Sequence, residues 1–298
     1  MDFNDTPEEN NFRLEVREWL KNNAPKDKKS GGYDSIDVQE SALARARDWQ
    51  ALKAKAGYAA ITWPKEYGGL GGSSIQSVIY SQEESKYNVP TGFFDIGLGM
   101  CIPTMMAWAT KEQNERYVEP ALYGKEIWCQ LFSEPSAGSD VAGVRTKAEK
   151  NGDDWIINGQ KVWTSGAHIS QWCGALVRTD TDVGKRDGIS FVMLPMQQDG
   201  VETRPIRLIS GISPFCETYF TDARAEKGDL LGNLNDGWSV VKRLLQHERQ
   251  SQTGGRGVSM LDSEPLHVKA QRFVGTDESG ALVDKDLRQR LVRNYMDG

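Results

Sequence analysis

The chain has 298 residues, with 36 Lys and Arg against 42 Asp and Glu, and 38% hydrophobic and 26% charged residues. That length suits two ordinary domains, or one large one, around a sizeable core. A formal charge of −6 argues against nucleic acid as the main partner, because backbone phosphates select a basic face; only a local cationic pocket for a small anion stays open.

The N-terminal segment Met1-Asp2-Phe3-Asn4-Asp5 is acidic and lacks an apolar run, so no signal peptide is expected and the cytoplasm is the default compartment. Thr6-Pro7-Glu8-Glu9 reads as a helix start: a Thr cap, Pro at the first helical position and Glu three residues after the cap. Phe12, Val16, Trp19 and Leu20 then recur at helical spacing and define one buried face. A second helix is expected from Ala42 to Ala56, stopped by Gly57, and a third from Ile75 to Tyr87 after the Gly68-Gly69-Leu70-Gly71-Gly72 loop. Helical pattern continues from Pro103 to Tyr123.

From about residue 126 to 230 the pattern changes to short strands with turn punctuation, as in a small β-barrel or sandwich. Trp155 to Trp163 reads as a hairpin with Asn158-Gly159 as its type I′ turn. Strands are expected at Cys173 to Arg178, Gly188 to Leu194 and Glu217 to Thr221. Helix returns after Asn235-Asp236, which can cap a segment carrying Trp238, Val241, Leu244 and Leu245, and again from Leu291 to Tyr295 before Asp297-Gly298. A helix pair cannot bury its own apolar faces, so this last region reads as unfinished. The longest strongly apolar run, Ile189 to Met196, contains Ser190 and Pro195 and is far shorter than a membrane span.

Cys101, Cys129, Cys173 and Cys216 have no metal-ligand spacing and only three histidines to help them, so no metal is expected and all four read as buried thiols. The chain also lacks GxGxxG, Walker and GxSxG signatures, which disfavours a Rossmann nucleotide site or an α/β-hydrolase. Three segments can carry chemistry. Gln130-Leu131-Phe132-Ser133-Glu134-Pro135-Ser136-Ala137-Gly138-Ser139-Asp140 runs from a strand into a small-residue loop whose amides can approach a phosphate or a polar ring edge; an ordinary Ser/Gly turn is the alternative. Trp163-Thr164-Ser165 offers an aromatic face and two hydroxyls to a planar cofactor, with a core Trp and a turn as the alternative. Glu248 lies four residues after Leu244 and seven after Val241, on the apolar stripe. A carboxylate there is either paired, for instance with Arg249, or has the raised pKa that suits a general base.

Together these segments resemble the acyl-CoA dehydrogenases, and the likeness is carried by motifs in the right order. Phe132-Ser133-Glu134-Pro135 through Gly138-Ser139-Asp140-Val141-Ala142-Gly143 resembles their first flavin-contacting signature, and Ile156 to Ser165 resembles the second. Met1-Asp2-Phe3, Glu15 to Leu20, Trp63-Pro64-Lys65-Glu66-Tyr67-Gly68-Gly69 and Leu234-Asn235-Asp236-Gly237-Trp238 extend it over nearly the whole chain. The resemblance implies an N-terminal helical domain (1–125), a central β-barrel (126–230) and the beginning of a C-terminal helical bundle (231–298). It implies FAD as cofactor, with Gln130, Phe132 and Ser133 at the pyrimidine edge, Gly138 and Ser139 near the phosphate and pantetheine region, Trp163 against the ring, Ser165 toward N5, and Thr164 between them also binding the cofactor. Glu248 falls at the catalytic base of the branch that places it on the first C-terminal helix, and Arg249 follows on the substrate side. The implied reaction is α,β-dehydrogenation of an acyl-CoA to the trans-2-enoyl-CoA, as in fatty acid β-oxidation, with electrons leaving to an electron-transfer flavoprotein and the chain part of a homo- or hetero-oligomer. The resemblance further implies that about the last quarter of a typical member lies beyond residue 298. Alternatives are a non-catalytic or half-site subunit of a heteromer, and a flavin monooxygenase of the same fold, against which Glu248 speaks. Ala225-Glu226 stands where the family usually has Val-Pro.

Overall fold

A computed structural model describes residues 5–25, 40–253 and 266–297. The resemblance at Met1-Asp2-Phe3 and the terminal Gly298 lie outside the described residues. Up to Thr253 the described chain forms one compact unit, and from Leu266 onward a second, smaller one.

The first helix, α1 (Pro7–Asn23), starts as its sequence dictates: Thr6 Oγ1 accepts from the Glu9 amide at 3.2 Å and Glu9 Oε2 accepts from the Thr6 amide at 2.7 Å. Each bond satisfies an orphan donor of the first turn. Val16 and Leu20 on its inner face are fully buried. Next come α2 (Glu40–Lys55), closed by Gly57 at φ 80°, and α3 (Ser74–Glu84), shorter than its pattern and capped by Ser73. The apolar pattern expected from Pro103 begins earlier. Gly97–Cys101 is a π-helical turn that leads directly into α4 (Ile102–Trp108), followed by α5 (Lys111–Leu122). Gly97 lets this turn pack closely on β1, since a Cβ there would stand 3.2 Å from Trp128 Cβ.

The β region has eight strands: β1 (Trp128–Leu131), β2 (Lys147–Asn151), β3 (Asp154–Ser165), β4 (Trp172–Arg178), β5 (Ile189–Pro195), β6 (Val201–Ile206), β7 (Phe215–Ala225) and β8 (Leu230–Leu231). Their order is β6-β7-β3-β2-β4-β5-β8, with β1 pairing parallel to β4. Among the described residues this order is a path with two ends, so of the small β-barrel or sandwich expected from the sequence the β region is present but closure into a barrel is not shown.

The hairpin turn also lies elsewhere. Asn151 pairs with Asp154, so Gly152-Asp153 makes the turn, while Asn158-Gly159 sits inside the continuous strand β3. The two positions have other tasks. Asn158 exchanges hydrogen bonds of 2.9 Å with the Asp222 side chain and amide on β7, and Gly159, at φ 151°, lets Thr146 approach to where a Cβ would meet its Cα at 2.7 Å. A turn pair in a strand long enough to pair on both edges is overridden by that pairing.

Helix α6 (Gly237–Thr253) begins directly after Asn235-Asp236. Its Val240, Val241 and Leu244 share one core with Ile102 and Met105 of α4, Trp128 of β1, Leu176 of β4 and Phe191 of β5. A second core, inside the sheet, holds Cys129, Cys173 and Cys216. All four cysteines are free and buried, as their spacing implied. The smaller unit contains α7 (Leu266–Val274), which has no counterpart among the expected helices, a turn bridged at Thr276 and Leu282, and α8 (Lys285–Asp297). Among the described residues no helix is long and apolar enough to cross a membrane.

Candidate functional site

Strand β1 ends at Leu131 and delivers the loop beginning Phe132-Ser133. Phe132 turns its ring into the core, edge-on to Phe191 at 6.0 Å between centroids. Ser133 stays half-buried, its carbonyl accepts from the Val162 amide at 2.9 Å, and its hydroxyl makes no hydrogen bond among the described residues. That bond joins the first signature segment to the second, one residue before Trp163. Gly138 and Ser139 are exposed, and a Cβ on Gly138 would meet nothing within 4 Å.

Trp163 is no core residue. It is 56% exposed, touches Phe215 edge-on at 5.9 Å, and has φ 61°. The cause is an irregularity in the β3–β7 ladder, whose register shifts between Lys161 and Thr164. A bulky side chain in the left-handed region is strained, and such strain concentrates at ligand clamps. Thr164 is buried with its hydroxyl unpartnered, although an orphaned polar atom is costly. Ser165 is half-buried beside Gly166 in a small crevice floored by Trp128.

Glu248 is half-buried on α6, one turn beyond fully buried Leu244. Gln130 Nε2 donates to its Oε2 at 3.4 Å, so the α6 carboxylate and the strand preceding the Phe132-Ser133 loop meet directly. Arg249 is exposed. His168 has a partner its sequence did not reveal, Cys216 Sγ at 3.3 Å from Nδ1, and burial lowers its pKa below the ordinary imidazole value. In the smaller unit His267 Nδ1 lies 2.9 Å from the Tyr295 hydroxyl.

Beneath this loop lies an ion pair that the sequence motifs do not mark. Lys161 is fully buried, and its ammonium donates to Glu134 Oε1 at 2.8 Å, Leu176 O at 2.7 Å and Phe132 O at 3.1 Å. Glu134 also accepts from the Arg145 and Thr146 amides at 2.7 and 2.9 Å. Burial pushes the Lys161 ammonium down to about 8, with Glu134 opposing that shift. For Glu134 burial acts upward, but the Lys161 charge and its hydrogen bonds prevail and hold it below the ordinary carboxylate value. The signal was available: Lys161 shares the inward register of β3 with Trp155 and Ile157, where a cation demands a partner.

A cleft of about 280 Å³ is lined by Val144, Arg145, Lys147, Arg178, Thr181, Val183 and Lys185, four of them basic. Arg178 is structural, because its guanidinium donates to the carbonyls of Ala142, Val144 and Lys185 and ties the two flanking loops together. Lys185 Nζ pairs with Asp140 at 2.8 Å.

Residues 6–125 match the acyl-CoA dehydrogenase N-terminal domain, and residues 129–223 match the acyl-CoA dehydrogenase middle domain. The chain belongs to the acyl-CoA dehydrogenase family. It is similar to acyl-CoA dehydrogenase IpdE1 of Mycolicibacterium smegmatis, 37% identical over 295 residues that cover 95% of this chain and 74% of the relative. The protein of that name from Mycobacterium tuberculosis is likewise 37% identical, over 95% of this chain and 73% of its own length. Among solved structures, the Tcur3481-Tcur3483 steroid ACAD superposes with a TM-score of 0.78 at 27% identity, covering 99% of this chain and 74% of that one. The ChsE4-ChsE5 complex from Mycobacterium tuberculosis gives 0.71 at 27% identity, with 99% and 74% covered.

Acyl-CoA dehydrogenases are oxidoreductases whose members bind FAD, and the residues here fit a planar, phosphate-bearing group. The exposed Trp163 ring, the unpartnered Thr164 hydroxyl and the open space over Gly138 are features that a flat ring with polar edges and a diphosphate would use.

Proposed function

We propose that this chain catalyses flavin-dependent α,β-dehydrogenation of an acyl-CoA thioester, with Glu248 as the base that removes the α proton. The observation that carries the reading is the meeting of Glu248 with Gln130, which sets a carboxylate at the end of an apolar stripe beside the strand leading to Phe132-Ser133. When bound, FAD supplies the acceptor for the β hydrogen and its electron pair. Trp163 would give the ring its platform, and Ser133, Thr164 and Ser165 would hydrogen-bond its polar edge. Gly138 and Ser139 would allow close approach of the diphosphate. Leu98 and Met100 of the π-helical turn, together with Leu245, pack against the core cluster that contains Leu244, one helical turn before the carboxylate. Arg145, Lys147 and Lys185 give the CoA phosphates a cationic cleft. An electron-transfer flavoprotein is the proposed electron acceptor. One solved relative is named a steroid ACAD, so a steroid-derived acyl-CoA is the first substrate to try beside fatty acyl-CoAs.

The names of two solved relatives each pair two chains, and this favours a second reading in which the chain works as one subunit of a heteromer. Both readings meet one experiment: the flavin-to-protein ratio from visible absorption, followed by bleaching with acyl-CoA. Glu248→Gln should retain FAD while bleaching slows by a factor of about 10² to 10⁴, the usual worth of a general base. A Glu248→Gln chain that bleaches at the unaltered rate refutes the assignment, and a chain that stays colourless with added FAD favours the heteromer.

A further inference from the structure

Two consecutive residues of β3 hold two consecutive carbonyls of the loop that follows β1. The Lys161 ammonium donates to Phe132 O at 3.1 Å, and the Val162 amide donates to Ser133 O at 2.9 Å. Carbonyl and N–H point to opposite sides of a trans peptide, so the N–H of Ser133 is turned away from the buried ammonium. Among the described residues neither that N–H nor the Ser133 hydroxyl has a hydrogen-bond partner. Lys161 is itself fixed by Leu176 O of β4 at 2.7 Å and by Glu134 at 2.8 Å. The Glu134 oxygens also accept from the Arg145 and Thr146 amides, so the carboxylate is tied to that segment while the ammonium faces the Phe132 carbonyl.

We infer that Lys161 is a positioning residue for the flavin: through the Phe132–Ser133 peptide it aims and strengthens the Ser133 N–H toward the polar edge of the ring, and so favours the reduced ring over the oxidised one. This rests on the reading that FAD binds against Ser133. A hydrogen bond from an ammonium is about twice as strong as a neutral one, and a carbonyl polarised in this way makes the N–H of its own peptide a better donor. Such polarisation is strong only where water is excluded, and Lys161, Phe132 and Leu176 are all buried. Two-electron reduction adds negative charge to the pyrimidine edge, so a donor fixed there holds the reduced form more tightly. Stability does not account for the pair, because a buried ion pair adds little over apolar side chains of the same volume. The register of β3 against β7 shifts between Lys161 and Thr164, so this one ammonium also ties the loop to the strand that carries Trp163.

The experiment compares the unaltered chain with Lys161→Met/Glu134→Gln, which removes both charges and keeps much of the shape, each with and without FAD. Urea midpoints check that both chains are folded. Flavin fluorescence gives the dissociation constant of oxidised FAD, and reductive titration against a reference dye gives the midpoint potential of the bound flavin. The double variant is expected to hold reduced FAD about tenfold more weakly relative to oxidised FAD, which lowers the potential by about 30 mV. A second readout needs no variant. Phe-Ser occurs once in the sequence, so carbonyl-labelled phenylalanine with nitrogen-labelled serine gives a single carbonyl–amide correlation in nuclear magnetic resonance, that of Phe132–Ser133. FAD should move its Ser133 amide resonance in the unaltered chain, and the double variant should move its Phe132 carbonyl resonance upfield. An unchanged potential in the folded double variant overturns the inference even where affinity for oxidised FAD falls, because a merely structural role moves both forms alike. A Ser133 resonance that does not respond to bound FAD overturns it as well. If the unaltered chain takes up no FAD, the reading of the site falls and takes this inference with it.

Discussion

Removing the Lys161 ammonium tests the architecture beneath the site. In Lys161→Met the Glu134 carboxylate, only 4% exposed, loses its cation, and the carbonyls of Phe132 and Leu176 lose their donor. Breaking a buried pair from one side costs about 3–5 kcal/mol, because the remaining charge stays buried without compensation. With a urea slope of about 3 kcal/mol/M for a unit of this size, the tryptophan-fluorescence midpoint should fall by about 1 M or more. Lys161→Met/Glu134→Gln should recover much of that loss, since a neutral amide can still accept from the Arg145 or Thr146 amide. A pH series adds an independent check. In the fold Lys161 sits at about 8 against 10.5 for free lysine, so between those values the unfolded chain binds more protons. That contribution is complete above 10.5 and is lost as pH falls through about 8. The advantage of the unaltered chain over Lys161→Met should therefore widen by roughly 2 kcal/mol from about pH 7.5 to 9.5. A midpoint change under about 0.3 M, or a double variant no better than the single one, would show that the pair is not what holds this loop.

Two further perturbations address strain and a buried carboxylate. Trp163→Gly relieves the left-handed backbone but frees the unfolded chain, so the ligand-free melting temperature should move by no more than about 3 °C while FAD affinity drops at least about tenfold. Melting far below that, with FAD affinity intact, would make Trp163 a packing residue. Glu83 receives Arg17, Arg13 and Lys86 at 2.9, 3.0 and 2.6 Å. Burial acts upward on its carboxyl, but hydrogen bonds from Arg17, Lys86 and Arg13 outweigh it and bring it to about 2. Its stabilisation is present above the ordinary 4.5 and lost as pH falls through about 2, so Glu83→Gln should be the weaker protein in neutral urea titrations and equal the unaltered chain near pH 2. A stability gap that persisted unchanged at pH 2 would contradict the pairing.

Much of the helical architecture was legible, because caps and apolar spacing act locally: Thr6 and the Val16–Leu20 stripe behave as their neighbours dictate. The sheet was harder. Asn158-Gly159 carries the strongest local turn signal in the chain, yet β7 and β2 on either side of β3 hold it extended, and the turn passed to Gly152-Asp153. Strands β2 and β6 escaped notice because their exposed residues alternate too weakly. At the site, the place of Glu248 on the stripe was readable from 3.6-residue spacing alone. Its meeting with Gln130 was not, since 118 residues separate them and no local pattern links the two.

The core around Trp128 has a consequence for how the chain can change. Residues from α4, β1, β4, β5 and α6 close around it, so the boundary between helices and sheet is an interior rather than a seam. Substitutions on one side are felt by packing partners far away in sequence, and an exchange of the helical part for that of a relative would have to carry the facing sheet residues with it. Variation is cheap only at the rim, in the loops above the sheet, where a new substrate could be accommodated without disturbing the frame that holds the carboxylate.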